Sequence, residues 1–147
     1  MPEVISSFTG RFNYLSNFYR HPFIYEEIRY PTSEHAYQAA KCTNVDDAYR
    51  IATAGNARIA KKLGRACELR EDWEDIKIDV MRDILRVKFK KGSHLGRLLV
   101  GTGDIPLVEG NTWNDVFWGV CNGSGENWLG RLLMEIRSEL QKLEDED

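Results

Sequence analysis

Reactive and polar side chains are concentrated in the segment Tyr30–Lys41, which also carries the signals for the start of a helix. Pro31 provides a stiff lead-in, and Thr32 or Ser33 can accept a backbone hydrogen bond at the N-cap. In a helix that begins here, Gln38 and Lys41 follow Glu34 at i+4 and i+7 and share its face. A carboxylate, an amide and an amine on one stripe could support acid–base or nucleophilic chemistry. The alternative is an ordinary solvated polar face.

The residues just upstream favour a site over a solvated face. Segment 13–19 (NYLSNFY) places three aromatic residues and two asparagines before the helix. Aromatic rings mixed with a few directed polar groups are typical of small-molecule pockets. The middle of the chain adds basic residues, chiefly Arg58, Lys61, Lys62 and Arg65, then Lys88, Lys90 and Lys91. These clusters are consistent with solvated helix faces or with local phosphate binding.

A second set of candidate residues lies near the C-terminus. Asp115 stands between Trp113 and Trp118, where rings could hold a base or ribose and a carboxylate could stabilise positive charge. The alternative is that both tryptophans are core residues and Asp115 caps a turn. Segment 122–127 (NGSGEN) precedes the last predicted helix, so its backbone donors could bind phosphate. Neither a Walker pattern nor a strand-linked GxGxxG is present.

Composition limits the class of protein. With 147 residues, 42% of them hydrophobic, the chain fits one compact domain spanning residues 1–147. The three cysteines show neither a disulfide framework nor metal-ligand spacing, so we expect a reducing compartment and no metal. A membrane span and a leader peptide are not indicated, which predicts a cytoplasmic protein. A net charge of −3 argues against bulk attraction to nucleic acid.

Hydrophobic periodicity predicts a mostly helical chain. Strands are expected at 4–8, 23–30 and 105–109, and helices at 45–54, 57–63, 73–89, 93–100 and 125–143, besides the one that contains Glu34. Gly64 is interpreted as a helix terminator. The acidic tail, residues 144–147, is expected to fray.

Three motifs, in order along the chain, resemble the YbiA-like proteins of the NADAR superfamily. They are LSNFY at 15–19, YPTSEHAYQAAK at 30–41, and DVFWG at 115–119 followed by GENWLG at 125–130. The resemblance covers nearly the whole chain. It implies an α+β fold, mostly α-helical with a few short strands, and an enzyme that hydrolyses N-glycosidic bonds in ribose derivatives without a cofactor. The implied substrates are phosphorylated ribosylamino-pyrimidine intermediates of riboflavin synthesis or ADP-ribosylated guanine, either as small molecules or in nucleic acid. The alternative is a non-catalytic module that binds NAD-derived ligands.

The motifs define the predicted site. Glu34 is the expected acid or charge stabiliser, Lys41 a Schiff-base nucleophile or an ion-pair partner, and Asp115 a group that orients ribose or assists proton transfer. The expected substrate-binding residues are Asn17, Phe18, Tyr19, His35, Gln38, Trp113, Trp118, Gly119, Gly125 and Asn127.

Overall fold

The structure is a computed structural model, and it describes residues 1–146. Two compact units can be distinguished. The central unit is Asn17–Lys88, and the terminal unit combines Met1–Ser16 with the chain from Phe89 onward. The expected class, α+β and mostly helical with short strands, is confirmed. One domain over residues 1–147 stays a prediction.

The central unit contains a β-hairpin and four helices. Strands β1 (Phe23–Tyr25) and β2 (Ile28–Tyr30) pair antiparallel, with Phe23 opposite Tyr30. The helices are α1 (Ser33–Ala40), α2 (Val45–Ala52), α3 (Ala57–Ala66) and α4 (Trp73–Lys88). Helix α1 packs against α2, α3 and α4, and nearly all of its side chains are buried. A helix surrounded in this way can hold polar side chains in fixed positions.

The predicted strand at 23–30 is a hairpin because the chain reverses at Glu26 and Glu27. Both residues have positive φ, 50° and 71°. Two such residues between paired strands match a type I′ turn, which normally uses Asn or Gly. The sequence therefore lacked the usual turn signal.

The terminal unit contains a 3₁₀ helix at Gly10–Leu15 and two α-helices, α5 (His94–Gly101) and α6 (Trp128–Asp145). Helices α5 and α6 pack together, and most of the buried residues of each helix are leucines. The buried Arg137 of α6 donates hydrogen bonds to Thr102 Oγ1 at 3.0 Å and to the Ile105 carbonyl at 2.7 Å. These bonds fix the loop after α5 to the middle of α6.

The strands expected at 4–8 and 105–109 do not form. They are reduced to one parallel bridge between Ile5 and Leu107, because the backbone bonds there are limited to Ile5 with Pro106 and Val108. Helix α6 extends to Asp145, so the first two residues of the acidic tail are helical, while Asp147 lies outside the described residues. None of the helices within residues 1–146 is long and apolar enough to cross a bilayer.

Candidate active site

Helix α1 begins as its sequence indicates. Thr32 is the N-cap, and its Oγ1 accepts a hydrogen bond from the His35 backbone nitrogen at 3.1 Å. The same hydroxyl lies 2.7 Å from His35 Nδ1, while His35 Nε2 lies 3.0 Å from the Ala54 carbonyl. Since that carbonyl can only accept, Nε2 carries the proton and Nδ1 accepts from Thr32. Burial lowers the pKa of His35, consistent with a neutral ring.

His35 therefore connects the start of α1 to the end of α2. Its side chain is fully buried, and both ring nitrogens are used in these internal bonds. The geometry gives His35 a structural role and offers no support for the predicted substrate contact.

Asn17 clamps the same end of α1. Its backbone carbonyl accepts a hydrogen bond from the Glu34 nitrogen at 3.0 Å, and its Oδ1 accepts from Ser33 Oγ at 2.9 Å. Its Nδ2 lies 3.8 Å from the sulfur of Met81. The predicted substrate-binding residue Asn17 is thus a positioning contact for the turn that carries Glu34.

Glu34 and Gln38 meet in the interior of the central unit. Only 7% of Glu34 and 3% of Gln38 is exposed. Gln38 Nε2 donates a 3.0 Å hydrogen bond to Glu34 Oε1. Because buried charged groups are stable only when they have hydrogen-bond partners, this amide helps to keep a carboxylate inside the fold. The predicted shared face of Glu34 and Gln38 is confirmed, and the alternative of a solvated face does not apply.

Lys41 follows directly as the C-cap residue of α1. Its Nζ lies 5.4 Å from the centre of the Tyr37 ring. Burial lowers the pKa of Lys41, the negative charge of Glu34 opposes that shift, and the positive charge of Arg65 adds to it. An amine with a lowered pKa is neutral at lower pH than an exposed lysine, which makes it a better nucleophile near neutrality.

The two aromatic residues after Asn17 differ in exposure. Phe18 is 44% exposed, and Lys61 Nζ from α3 lies 5.9 Å from the centre of its ring. Tyr19 is half-buried. An exposed ring with a neighbouring cation can contact a planar group, so Phe18 keeps its predicted role as a hypothesis.

The thiol of Cys42, next to Lys41, is not activated. Burial raises the pKa of Cys42 to about 12, and a hydrogen bond with Cys67 acts in the same direction. The thiol of Cys42 is therefore protonated at neutral pH and is a poor nucleophile. Across residues 1–146, no three His, Cys, Asp or Glu side chains are grouped to hold a metal ion.

In the terminal unit, Asp115 organises a tight turn. Its Oδ1 accepts hydrogen bonds from the Phe117 nitrogen at 3.1 Å and the Trp118 nitrogen at 2.9 Å. Asn111 bonds the backbone of Asp115 in both directions, at 2.8 and 3.1 Å. Asp115 thus caps a turn, as one of the two sequence interpretations held. Its catalytic role stays a prediction.

The tryptophans beside Asp115 are not core residues. Trp113 is 59% exposed, and Trp118 is half-buried with its ring edge-on to Phe117 at 4.9 Å between centroids. The alternative prediction that both tryptophans are core residues is therefore wrong. Stacking of a base on either ring stays a prediction.

Three backbone donors at the start of α6 are used within the fold, so the phosphate site predicted there stays a prediction. The backbone nitrogens of Asn127, Trp128 and Leu129 donate to the carbonyls of Gly119, Phe117 and Trp118 at 3.3, 3.1 and 2.9 Å. The Asn127 side chain is used as well, because it bonds the backbone of Glu109 and Leu107. Those groups hold the loop together and are not directed at a ligand.

Two glycines allow this close packing. A Cβ at Gly125, whose φ is 150°, would overlap the Gly119 carbonyl, and a Cβ at Gly119 would overlap the Glu109 carbonyl. Gly119 and Gly125 are therefore needed for backbone contacts, and their predicted contacts with the substrate stay predictions.

Sequence reasoning missed Gly64, Tyr37 and Asn111. Gly64 is inside α3, against Gln38, and does not terminate the helix. The contact between Tyr37 and Lys41 could have been predicted, because the two residues are one helical turn apart. The only signal for the Asn111–Asp115 pairing was its i,i+4 spacing.

Comparison with known proteins decides the family. The model of the NADAR domain matches residues 7–141. The chain belongs to the NADAR family. The N-glycosidase YbiA of Escherichia coli (strain K12) is 42% identical over 130 residues, covering 85% of this chain and 79% of that protein. The N-glycosidase Npun_R5314 of Nostoc punctiforme is 37% identical, covering 87% and 85%.

Two further comparisons extend this picture of a NADAR protein. The riboflavin biosynthesis protein VVA0006 of Vibrio vulnificus is 40% identical over 132 residues, which are 88% of this chain but 36% of that longer protein. The NMR structure of E. coli YbiA matches with a TM-score of 0.87 at 36% identity, covering all of this chain and 90% of the other. The prediction of a hydrolase of the N-glycosidase type is confirmed.

Proposed function

We propose that this NADAR protein hydrolyses the N-glycosidic bond of a phosphorylated ribosylamino-pyrimidine of the kind formed in riboflavin synthesis. Two relatives are named for riboflavin biosynthesis, one from Vibrio vulnificus and one from Zea mays. Others are named N-glycosidases. Together these names support cleavage of a base from ribose in that chemical class.

The observation that carries the mechanism is the buried pair Glu34–Gln38 beside Lys41. Departure of the base builds positive charge at the anomeric carbon, and a carboxylate nearby stabilises it. In the interior, where water screens charge weakly, this effect is large. Glu34 then either protonates the leaving nitrogen or directs water to the anomeric carbon, and the products are the free base and ribose phosphate.

Lys41 offers a covalent version of the same reaction. Its neutral amine attacks the anomeric carbon, the C–N bond to the base breaks, and the base nitrogen gains the proton that the amine loses. The resulting glycosylamine opens to an imine as its ring C–O bond breaks and the ring oxygen gains a proton. Water then hydrolyses the imine between Lys41 and the sugar, which releases the aldehyde and restores the amine. The lowered pKa of Lys41 supports this route because the amine must be neutral to attack.

The substrate phosphate needs positive charge, and α3 supplies it. Arg65 is exposed and lies within electrostatic range of Lys41, and Lys61 lies one turn earlier on α3. We assign the phosphate to these side chains because charged donors bind phosphate strongly and three backbone donors at the start of α6 are already used within the fold. Arg65→Ala should raise KM for the phosphorylated substrate and leave a dephosphorylated one unaffected. Arg29→Ala, on β2, is the control.

The test is a panel of ribosylated compounds incubated with pure protein, with free base followed by mass spectrometry. We expect release from the ribosylamino-pyrimidine phosphate. Release only from ADP-ribosylated guanine would replace the substrate class but keep the chemistry. Binding of the panel without release of any base would instead favour a non-catalytic module.

A further inference from the structure

Gly64 lies at an unusual contact between α3 and α1. It is buried in the last part of α3, where a glycine is less favourable than alanine. A Cβ built on Gly64 would overlap Oε1 of Gln38 and lie 2.7 Å from its Cδ and 3.0 Å from its Cβ. The space that a side chain would need is therefore occupied by the Gln38 amide.

The Gln38 amide has a hydrogen bond at only one of its two polar atoms. Its Nε2 donates to Glu34, whereas its buried Oε1 has no hydrogen-bond partner among the described residues. Turning the amide over would bring Oε1 against the carboxylate oxygen, two acceptors in contact. The Oε1 side of the amide is therefore held by packing. Oε1 packs against the backbone at Gly64.

We propose that Gly64 is a positioning residue for the hydrolysis. Its missing side chain leaves room for the Gln38 amide, which in turn holds the Glu34 carboxylate in the orientation that meets the substrate. The inference rests on the proposed role of Glu34. It assigns to Gly64 an effect on turnover that acts through Gln38.

The first test is Gly64→Ala, assayed with the ribosylamino-pyrimidine phosphate. The new methyl group must displace the Gln38 amide, so kcat should fall about 10- to 100-fold, as expected for a misplaced catalytic group, while KM changes little. Gly101→Ala is the matched control, because Gly101 is also helical and nothing lies within 4 Å of its Cβ position. Its kcat should stay within about twofold of wild type.

A double-mutant cycle separates positioning from general damage to the fold. When Gln38 is already alanine, the remaining Cβ contact of 3.0 Å needs only a small shift, so adding Gly64→Ala should change kcat by less than about twofold. Additive losses in the two single variants and the double variant would overturn the inference.

Gln38→Met gives an independent readout if Gly64→Ala fails to fold. Methionine is similar in length but donates no hydrogen bond to Glu34. It should reproduce the loss in kcat and move the limb of the kcat/KM profile that Glu34 sets to higher pH, because the ionised carboxylate loses a donor. An unchanged kcat and pH profile in Gln38→Met would refute the inference. If Glu34→Gln itself stays active, the proposed role of Glu34 fails instead, and if the wild type releases no base from the panel, the proposed function fails.

Discussion

Gln38 Nε2 donates a hydrogen bond of 3.0 Å to Glu34 Oε1 across one turn of α1, with both side chains buried. The bond fixes the candidate catalytic carboxylate against its own helix α1, which packs against α2, α3 and α4. A carboxylate held in this way needs little reorganisation when charge develops on the substrate.

Lys41→Arg tests the covalent route. In wild type, borohydride added during turnover should trap a protein adduct with the mass of the sugar phosphate, and peptide mapping should locate it at Lys41. Arginine keeps the positive charge but is too basic to attack, so trapping should disappear. Lys142→Arg, at an exposed site on α6, should trap normally. An active wild type that never traps would leave Lys41 as an electrostatic partner only.

Thr32→Val should destabilise the protein by about 1–3 kcal/mol. The substitution removes the N-cap of α1 and leaves the buried Nδ1 of His35 without its donor. Thr53→Val, at an exposed helix end, should change stability by less than about 0.5 kcal/mol. Urea unfolding followed by circular dichroism measures both variants. Equal stabilities would show that the Thr32–His35 contact contributes nothing.

Lys88 should make stability rise with pH above neutrality. Burial lowers its pKa from 10.5 to about 7, so between these values the unfolded chain binds more protons than the folded one. Above the pKa that Lys88 has in the unfolded chain, its burial no longer lowers the free energy of unfolding. The destabilising effect of the buried amine grows as the pH falls towards the pKa of the folded chain. Between about pH 7 and 8.5, the free energy of unfolding of wild type should gain about 1–2 kcal/mol relative to Lys88→Met. If the free energies of unfolding of wild type and Lys88→Met changed in parallel with pH, this prediction would be contradicted.

The local features of α1 could be predicted from the sequence because they depend on neighbours along the chain. The Thr32 cap and the i,i+4 pair of Glu34 and Gln38 follow from helix geometry alone. Lys88 shows the limit of such reasoning. It was grouped with Lys90 and Lys91 as a basic cluster, yet it is buried while the other two are exposed.

The remaining features depend on contacts between distant segments. Gly64 has the sequence signature of a terminator, and its meeting with Gln38 exists only once α3 packs on α1. The donors at the start of α6 looked available for phosphate because the carbonyls of residues 117–119 that accept from them lie in a preceding loop. Glycines before a helix predict a tight backbone turn, but they do not predict which atoms the backbone of that turn contacts.

The most direct measurement is the rate of base release by Glu34→Gln from the ribosylamino-pyrimidine phosphate. Glutamine preserves the size of the side chain, so the fold and most substrate affinity should persist, while kcat falls roughly 100-fold or more because glutamine carries neither the negative charge nor an acidic proton. Glu68→Gln, at an exposed site, is the control and should be fully active. Turnover by Glu34→Gln within a few fold of wild type would remove Glu34 from the mechanism and contradict the account.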